Sequence, residues 1–375
     1  MRVMIVVTHL LGTGHLARSL ILAKSFAQKG DEVTLVTGGT VVDHFEKAGV
    51  IIEQLMPVRS HGIEFQNLLT SDGLPVGADL LAGRREQLLI TLAHFQPDIL
   101  ITELFPFGRR VLRDEFTALL SAAAAMQPRP LILGSIRDIL APPNKPKKIT
   151  FVENIITKFY DGILVHSDPE VVKLQESWPV SDVLAAKLYY TGFVAPKLKS
   201  YVECQDEQVL VSVGGGDVGE VVFLAACNAA LLMPELHWRM FVGGTNEQFE
   251  KLVKIAPSNV TIEPPTLKFR QILMSAKASV SMVGYNTALD VLQAGVPAVL
   301  IPFDSGGEIE QSLRANVLKT LPAIEVIQQK SLNGANLVDK VKAVILAGRR
   351  HPRTKGMDGA ETTVQITHYL RTKAI

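Results

Sequence analysis

The chain has 375 residues, 47% hydrophobic and 20% charged, which is enough apolar material for two domains and too much for a mainly disordered protein. Lys and Arg total 38 against 37 Asp and Glu, and both halves are balanced, so the basic excess of a nucleic-acid binder is missing. Two cysteines, Cys204 and Cys227, exclude a disulfide scaffold and a Cys-rich zinc site and point to a reducing, cytoplasmic setting.

The opening run from Met1 to His9 is too short for a membrane span and lacks a small-residue cleavage site, so a buried strand is expected there. In chain order, strands are predicted at Val3–Thr8, Val33–Thr37, Ile99–Thr102, Leu131–Gly134 and Gly162–His166. A second series follows at Val209–Val213, Arg239–Val242, Val260–Ile262, Ala278–Met282 and Ala298–Pro302. Helices are predicted at Leu16–Lys29, Glu220–Leu232, Thr287–Ala294, Glu308–Thr320 and Gly359–Thr372. Met56–Gly83 reads as a long loop with at most one helix, and Ala141–Lys148 as a Pro-rich basic loop. Strands rich in Val, Ile and Leu without alternation are buried on both faces, as in a parallel sheet. Their repetition with helices implies two doubly wound, Rossmann-like α/β domains, 1–195 and 196–358, with sheets facing across a cleft and a final helix over 359–375.

Three turns carry candidate chemistry. Gly12-Thr13-Gly14-His15-Leu16-Ala17 joins a strand to a helix, where glycines and the helix N-terminus suit an anion. An NAD reading needs an acidic residue at the end of the second strand, and Leu35-Val36-Thr37-Gly38 has none. His15 sits at the carboxyl end of the sheet, and a helix N-terminus keeps an imidazole neutral and able to accept a proton. A histidine packed at a turn with no role is the bland alternative. Gly214-Gly215-Gly216 repeats the strand–turn–helix logic in the second domain. The third segment runs from Ser281 to Phe303. There Gly284, Tyr285, Asn286 and Thr287 open a helix whose N–H groups suit a diphosphate, and Asp290 could accept from a ribose diol. Thr287-x-x-Asp290 also fits a capping box that needs no ligand. Glu310 and Gln311 start the next helix at the same sheet end, suited to sugar hydroxyls or simply to the helix dipole.

Together these segments resemble a GT-B glycosyltransferase, in particular the lipid II-forming UDP-N-acetylglucosamine transferases of peptidoglycan synthesis and their uncharacterised bacterial relatives. The most specific part is Gly284 to Gly295-x-Pro297, followed by Pro302-Phe303 and Glu310-Gln311. The resemblance implies that Thr266 or Leu267 meets the uracil edge through the backbone. It also implies that Tyr285, Asn286 and Thr287 lie at the phosphates, Asp290 at the ribose, and Glu310 and Gln311 at the donor sugar. His15 matches the histidine ending the family's N-terminal Gly-rich loop, here Gly12, Thr13 and Gly14. The resemblance further implies a final helix that can cross back to the first domain. Departures are a loop one glycine shorter, Gly216 in place of a serine, and no equivalent of the family's arginine near Thr191-Gly192-Phe193-Val194-Ala195, with Lys197 nearby.

The expected reaction is inverting, metal-independent transfer from a UDP-sugar, with no cofactor, since no Asp-x-Asp holds a metal. His15 is the first candidate base and Glu103 the second, the latter otherwise a strand-end charge paired with Arg109 or Arg110. A UDP-sugar hydrolase, a non-hydrolysing epimerase and a binding protein without turnover are the rivals. Asp304-Ser305-Gly306-Gly307 resembles a serine-protease loop but reads more simply as a connection. The acceptor is expected to be lipid-linked or a small glycoside. Lys145, Lys147 and Lys148 are candidates for peripheral contact with the inner face of the membrane, or plain solvated lysines.

Overall fold

Apolar strands with no polar face can be satisfied only when helices cover both sides of a sheet, and each half of the chain does this separately. The computed structural model describes residues 1–42, 48–61, 64–196, 206–213, 219–243, 245–266, 268–303 and 309–373. Two units result: Met1–Pro196 with Asp358–Ile375, and Lys197–Met357.

In the first unit the elements run β1 (Arg2–Val7), α1 (Gly14–Gln28), β2 (Glu32–Thr37), β3 (Ile51–Gln54), β4 (Arg59–His61), β5 (Glu64–Leu69) and α2 (Ala78–Phe95). Then come β6 (Ile99–Glu103), α3 (Arg113–Ala125), β7 (Leu131–Arg137), α4 (Pro146–Phe159), β8 (Gly162–His166), α5 (Asp182–Ala185) and β9 (Leu188–Tyr190). The sheet order is β3-β2-β1-β6-β7-β8-β9, and neighbouring strands pair in parallel. Along β1, Met4 and Val6 join one core cluster while Val3, Ile5 and Val7 join another on the opposite face. All five are fully buried. Each such side chain contributes about 1.5–3 kcal/mol of burial, which is why the strand reads as an unbroken apolar run.

The second unit contains β10 (Asp206–Ser212), α6 (Glu220–Leu232), β11 (His237–Phe241), α7 (Asn246–Ile255), β12 (Val260–Glu263) and α8 (Phe269–Ser275). It continues with β13 (Ala276–Met282), α9 (Tyr285–Ala294), β14 (Ala298–Ile301), α10 (Glu310–Leu318), β15 (Ile324–Val326) and α11 (Gly334–Ala347). Its parallel sheet has the order β12-β11-β10-β13-β14-β15. The helix α11 has a capping box: the Asn333 side chain accepts from Asn336 N at 3.0 Å, and the Asn336 side chain accepts from Asn333 N at 3.0 Å. Both sheets are thus doubly wound, as expected.

The last helix, α12 (Gly359–Lys373), belongs to the first unit. Gly359 N donates to Phe193 O at 3.1 Å, and a Cβ at Gly359 would lie 2.4 Å from Gly192 O, so only glycine fits this approach. Farther along, His368 Nε2 meets Asp31 Oδ2 at 2.8 Å, and the other oxygen of Asp31 accepts from the N-terminal amine at 2.9 Å.

Two sequence expectations need correction. Met56–Gly83 is not a long loop: it holds the antiparallel β4–β5 hairpin, and α2 begins at Ala78. The basic loop ends earlier than expected, because Pro146 is the first residue of α4 and carries Lys147 and Lys148 into its first turn. A proline at that position needs no N–H partner and already has a helical φ. Among the described residues no helix is long and apolar enough to cross a membrane.

Candidate active site

In the first unit, three parallel strands end side by side, and each ends in polar residues. The register sets Glu103 of β6 beside Ser135 of β7, and Arg137 of β7 beside His166 of β8. His15, the second residue of α1, enters from the helix side, and its Nδ1 lies 3.0 Å from Glu103 Oε1. Arg18, one turn later, donates to the same oxygen and is itself buried. Ser135 Oγ donates to Glu103 Oε2 at 2.6 Å and lies 2.9 Å from His166 Nε2. His166 Nδ1 in turn lies 2.9 Å from Thr191 Oγ1.

The charges in this network follow from its burial. Burial alone would raise the Glu103 carboxyl, but the Arg18 guanidinium and the hydrogen bonds from His15 and Ser135 outweigh it and hold the group below the usual carboxylate range. His15 is pushed down to about 3, first by burial and then by the cations of Arg109, Arg18 and Arg137, against the opposing hydrogen bond to Glu103. Burial, rather than the helix N-terminus, is the main cause of this lowering. A carboxylate only accepts, so the 3.0 Å contact with Glu103 places the His15 proton on Nδ1, with the Arg18 guanidinium farther from the same nitrogen at 3.2 Å, and leaves the Nε2 lone pair for another partner. Nearly nine-tenths of the His15 side chain is buried, with 13% exposed. Glu103 does not pair with Arg109 or Arg110. Arg109 instead donates to Thr8 O, and Arg110 Nη1 to Phe107 O at 3.4 Å. The preceding turn has Gly12 at φ +62°, in the left-handed region that favours glycine, and Thr13 as an N-cap without a side-chain bond. Beside Gly12 and Thr13 lies a cavity of about 660 Å³ that is also lined by His9, Thr40, Arg59 and Ser60.

In the second unit, α9 starts at the carboxyl end of β13 with Gly284 as its N-cap and no side-chain cap. Thr287 is therefore inside the helix, and the Thr287–Asp290 capping box does not form. An added Cβ on Gly284 would meet nothing within 4 Å, so the turn is open on that side. Asn286 is exposed, Thr287 half-buried and Tyr285 buried. Asp290 Oδ1 accepts from Arg270 Nε of α8 at 2.6 Å, and Arg270 also donates to Gln293. Burial raises the Asp290 carboxyl while Arg270 opposes the rise. Thr266 O accepts from Phe269 N at 3.2 Å. Glu310 is buried at the first position of α10. Gln311 Oε1 accepts from Val283 N and Phe303 N, both at 3.1 Å, so this amide oxygen spans the ends of β13 and β14. One turn on, the buried Arg314 donates to Val283 O at 3.1 Å. Gly214, Gly215, Gly216 and Leu267 lie outside the described residues.

Residues 208–365 match the glycosyltransferase family 28 C-terminal domain. The chain is a GT-B glycosyltransferase with that domain. It is 23% identical over 322 residues to an uncharacterised glycosyltransferase of Methanosarcina acetivorans, covering 82% of this chain and 81% of that one. A more local likeness, 28% over 144 residues, links it to the UDP-N-acetylglucosamine–N-acetylmuramyl-(pentapeptide) pyrophosphoryl-undecaprenol N-acetylglucosamine transferase of Levilactobacillus brevis, covering 36% of this chain and 39% of that protein. Among solved structures, Acinetobacter baumannii MurG has a TM-score of 0.64 at 15% identity, over 98% of this chain and 99% of its own. The calicheamicin glycosyltransferase CalG4 has a TM-score of 0.63 at 15% identity, over 100% of this chain and 96% of its own. These two likenesses concern the fold.

Arg18, Ser135, His166 and Arg270 were missed in the sequence. For Ser135 and His166 a signal was present: each is a polar residue near the carboxyl end of a mainly apolar strand.

Proposed function

We propose that this glycosyltransferase moves a sugar from a UDP-linked donor to an acceptor hydroxyl with inversion and without a metal, using His15 as base. The carrying observation is the Glu103–His15 pair, a buried carboxylate that orients an imidazole and leaves Nε2 unprotonated. In the proposed step the acceptor proton moves to His15 Nε2 and the acceptor oxygen bonds to the sugar C1. The bond from C1 to the diphosphate breaks, and UDP leaves with the electron pair. The diphosphate is assigned to the N-terminus of α9 at Gly284, Tyr285, Asn286 and Thr287, and to the Gly214–Gly216 turn. The ribose is assigned to Asp290, the base to Thr266 and Leu267, and the donor sugar to Glu310 and Gln311. With Gln311 Oε1 accepting from two backbone amides, its NH2 is the group assigned to the sugar. Gly12, Thr13 and Gly14 are assigned to the acceptor side. The acceptor is assigned as lipid-linked or a small glycoside, met at the inner face of a membrane; the pyrophosphoryl-undecaprenol substrate in the name of the Levilactobacillus brevis enzyme supports the lipid-linked choice.

Calorimetry and mass spectrometry test the division of labour. Asp290→Ala should weaken UDP binding by about 10–100-fold through loss of a charge-assisted contact. His15→Ala should keep UDP affinity while lowering turnover by about 10²–10⁴-fold. Equal loss of UDP affinity in both variants contradicts the assignment. Incubation with UDP-, GDP- and dTDP-sugars separates the reactions: free sugar marks a hydrolase, a new UDP-sugar an epimerase, and a product only with acceptor a transferase.

A further inference from the structure

We infer that Arg18 and Ser135 are positioning residues that clamp Glu103 and thereby set the tautomer of His15, with His166 and Thr191 bracing Ser135 from behind. This rests on His15 serving as the base. The argument begins with Glu103, whose two oxygens are held separately. Oε1 receives Arg18 and His15, and Oε2 receives the Ser135 hydroxyl at 2.6 Å. A carboxylate held at both oxygens cannot swing, so the acceptor facing His15 Nδ1 is fixed in direction.

The proton on each group then follows in turn. Ser135 has one hydroxyl proton, and the ionised carboxylate is its stronger acceptor. Ser135 Oγ must therefore accept from His166, which places the His166 proton on Nε2, 2.9 Å away. Nδ1 of a neutral His166 is then an acceptor facing the Thr191 hydroxyl at 2.9 Å, whose proton also has Gly192 O within reach at 2.8 Å. Donors run in one direction, from His166 through Ser135 to Glu103, and meet Arg18 and His15 there. The two histidines are thus fixed in opposite tautomers, His15 protonated on Nδ1 and His166 on Nε2. Fully satisfied buried networks do specify one geometry.

Arg18 has a second effect. It neutralises Glu103, so the pair does not draw a proton onto His15 as an unscreened carboxylate would. The charged groups bearing on His15 are Glu103 on β6, Arg18 on its own helix, Arg109 beyond β6 and Arg137 at the end of β7. Three are cations, which keeps the imidazole unprotonated and able to accept.

The test is long-range proton–nitrogen correlation spectroscopy of the full chain labelled at histidine, with His15 and His166 assigned through His15→Gln and His166→Gln. In the unsubstituted chain His15 should be protonated on Nδ1 and His166 on Nε2, with neither titrating down to about pH 5. Arg18→Met should raise the His15 titration by at least about 1 pH unit, and Arg18→Lys should restore it. Ser135→Ala, which removes a single oxygen and serves even if Arg18→Met does not fold, should give His15 a mixture of tautomers. Finding His15 protonated on Nε2 in the unsubstituted chain overturns the proposal. So do Arg18→Met and Ser135→Ala spectra that superpose on it. These spectra decide the clamp alone, whereas turnover of His15→Ala decides the base.

Discussion

Replacing Gln311 with alanine isolates the strut between β13 and β14. The substitution removes one oxygen that accepts from Val283 N and Phe303 N, both at 3.1 Å. Each backbone bond contributes about 0.5–1.5 kcal/mol net, and each amide left without a partner costs about 1–3 kcal/mol. Water can reach half-buried Gln311 and relieve part of this, which brings the sum to about 2–4 kcal/mol. For a unit of this size the melting temperature should fall by about 4–12 °C. Amide hydrogen exchange reads the effect at its source: Val283 and Phe303 should exchange about 30-fold faster or more, while the rest of β13 changes less. Gln311→Glu is the control, because its carboxylate oxygen can accept both amides and should preserve most of the protection. Wild-type exchange at Val283 and Phe303 in the alanine variant would refute the strut. So would equal losses in the alanine and glutamate variants.

Arg84→Met in the first unit should cost about 3–5 kcal/mol, because it leaves Glu115 buried without the guanidinium that donates to both its oxygens at 2.9 and 3.0 Å. Denaturant unfolding checks this, and restoring stability with Arg84→Met paired with Glu115→Leu would identify the buried charge as the cause. Acid should also weaken the fold through His15 and His166, each lowered from 6.5 to about 3, His166 by burial and by Arg18 against Glu103. Between these values the unfolded chain binds more protons, so stability falls as pH drops from about 6.5, by up to ~1.4 kcal/mol per unit for each histidine, and is flat above. Glu103 acts in a lower window, below the ordinary carboxylate range, where its protonation removes stability as well. Melting curves from pH 7.5 to 4.5 should show this slope, and His166→Gln should make it shallower.

The strands legible in the sequence were those with enough apolar content to be buried on both faces, such as Arg2–Val7 and Gly162–His166. Of the edge and short strands, Val260–Glu263 was legible while others escaped for the same reason. Ile51–Gln54 alternates exposed and half-buried positions, and Ile324–Val326 has only three residues. The helix Ala78–Phe95 was foreseen only as one unplaced helix in Met56–Gly83, because it buries only Arg84, Leu88 and Leu92, a narrow stripe that includes a charge. At the candidate site, residues on conspicuous turns were readable, while Arg18 looked like one more charge on a surface helix. Its burial depends on Glu103, 85 positions away in sequence, and no local pattern encodes that contact.

The docking of α12 beside α1 also sets the order in which the molecule can be completed. Unit one is interrupted by the whole of unit two, so α12 is made only after all of unit two. During synthesis the opening sheet must wait, its α1 face uncovered, while some 160 later residues emerge, at roughly 5–20 per second. Removing α12 would therefore damage unit one rather than unit two, its neighbour in sequence. Joining the old ends and opening the chain within unit two would make unit one continuous.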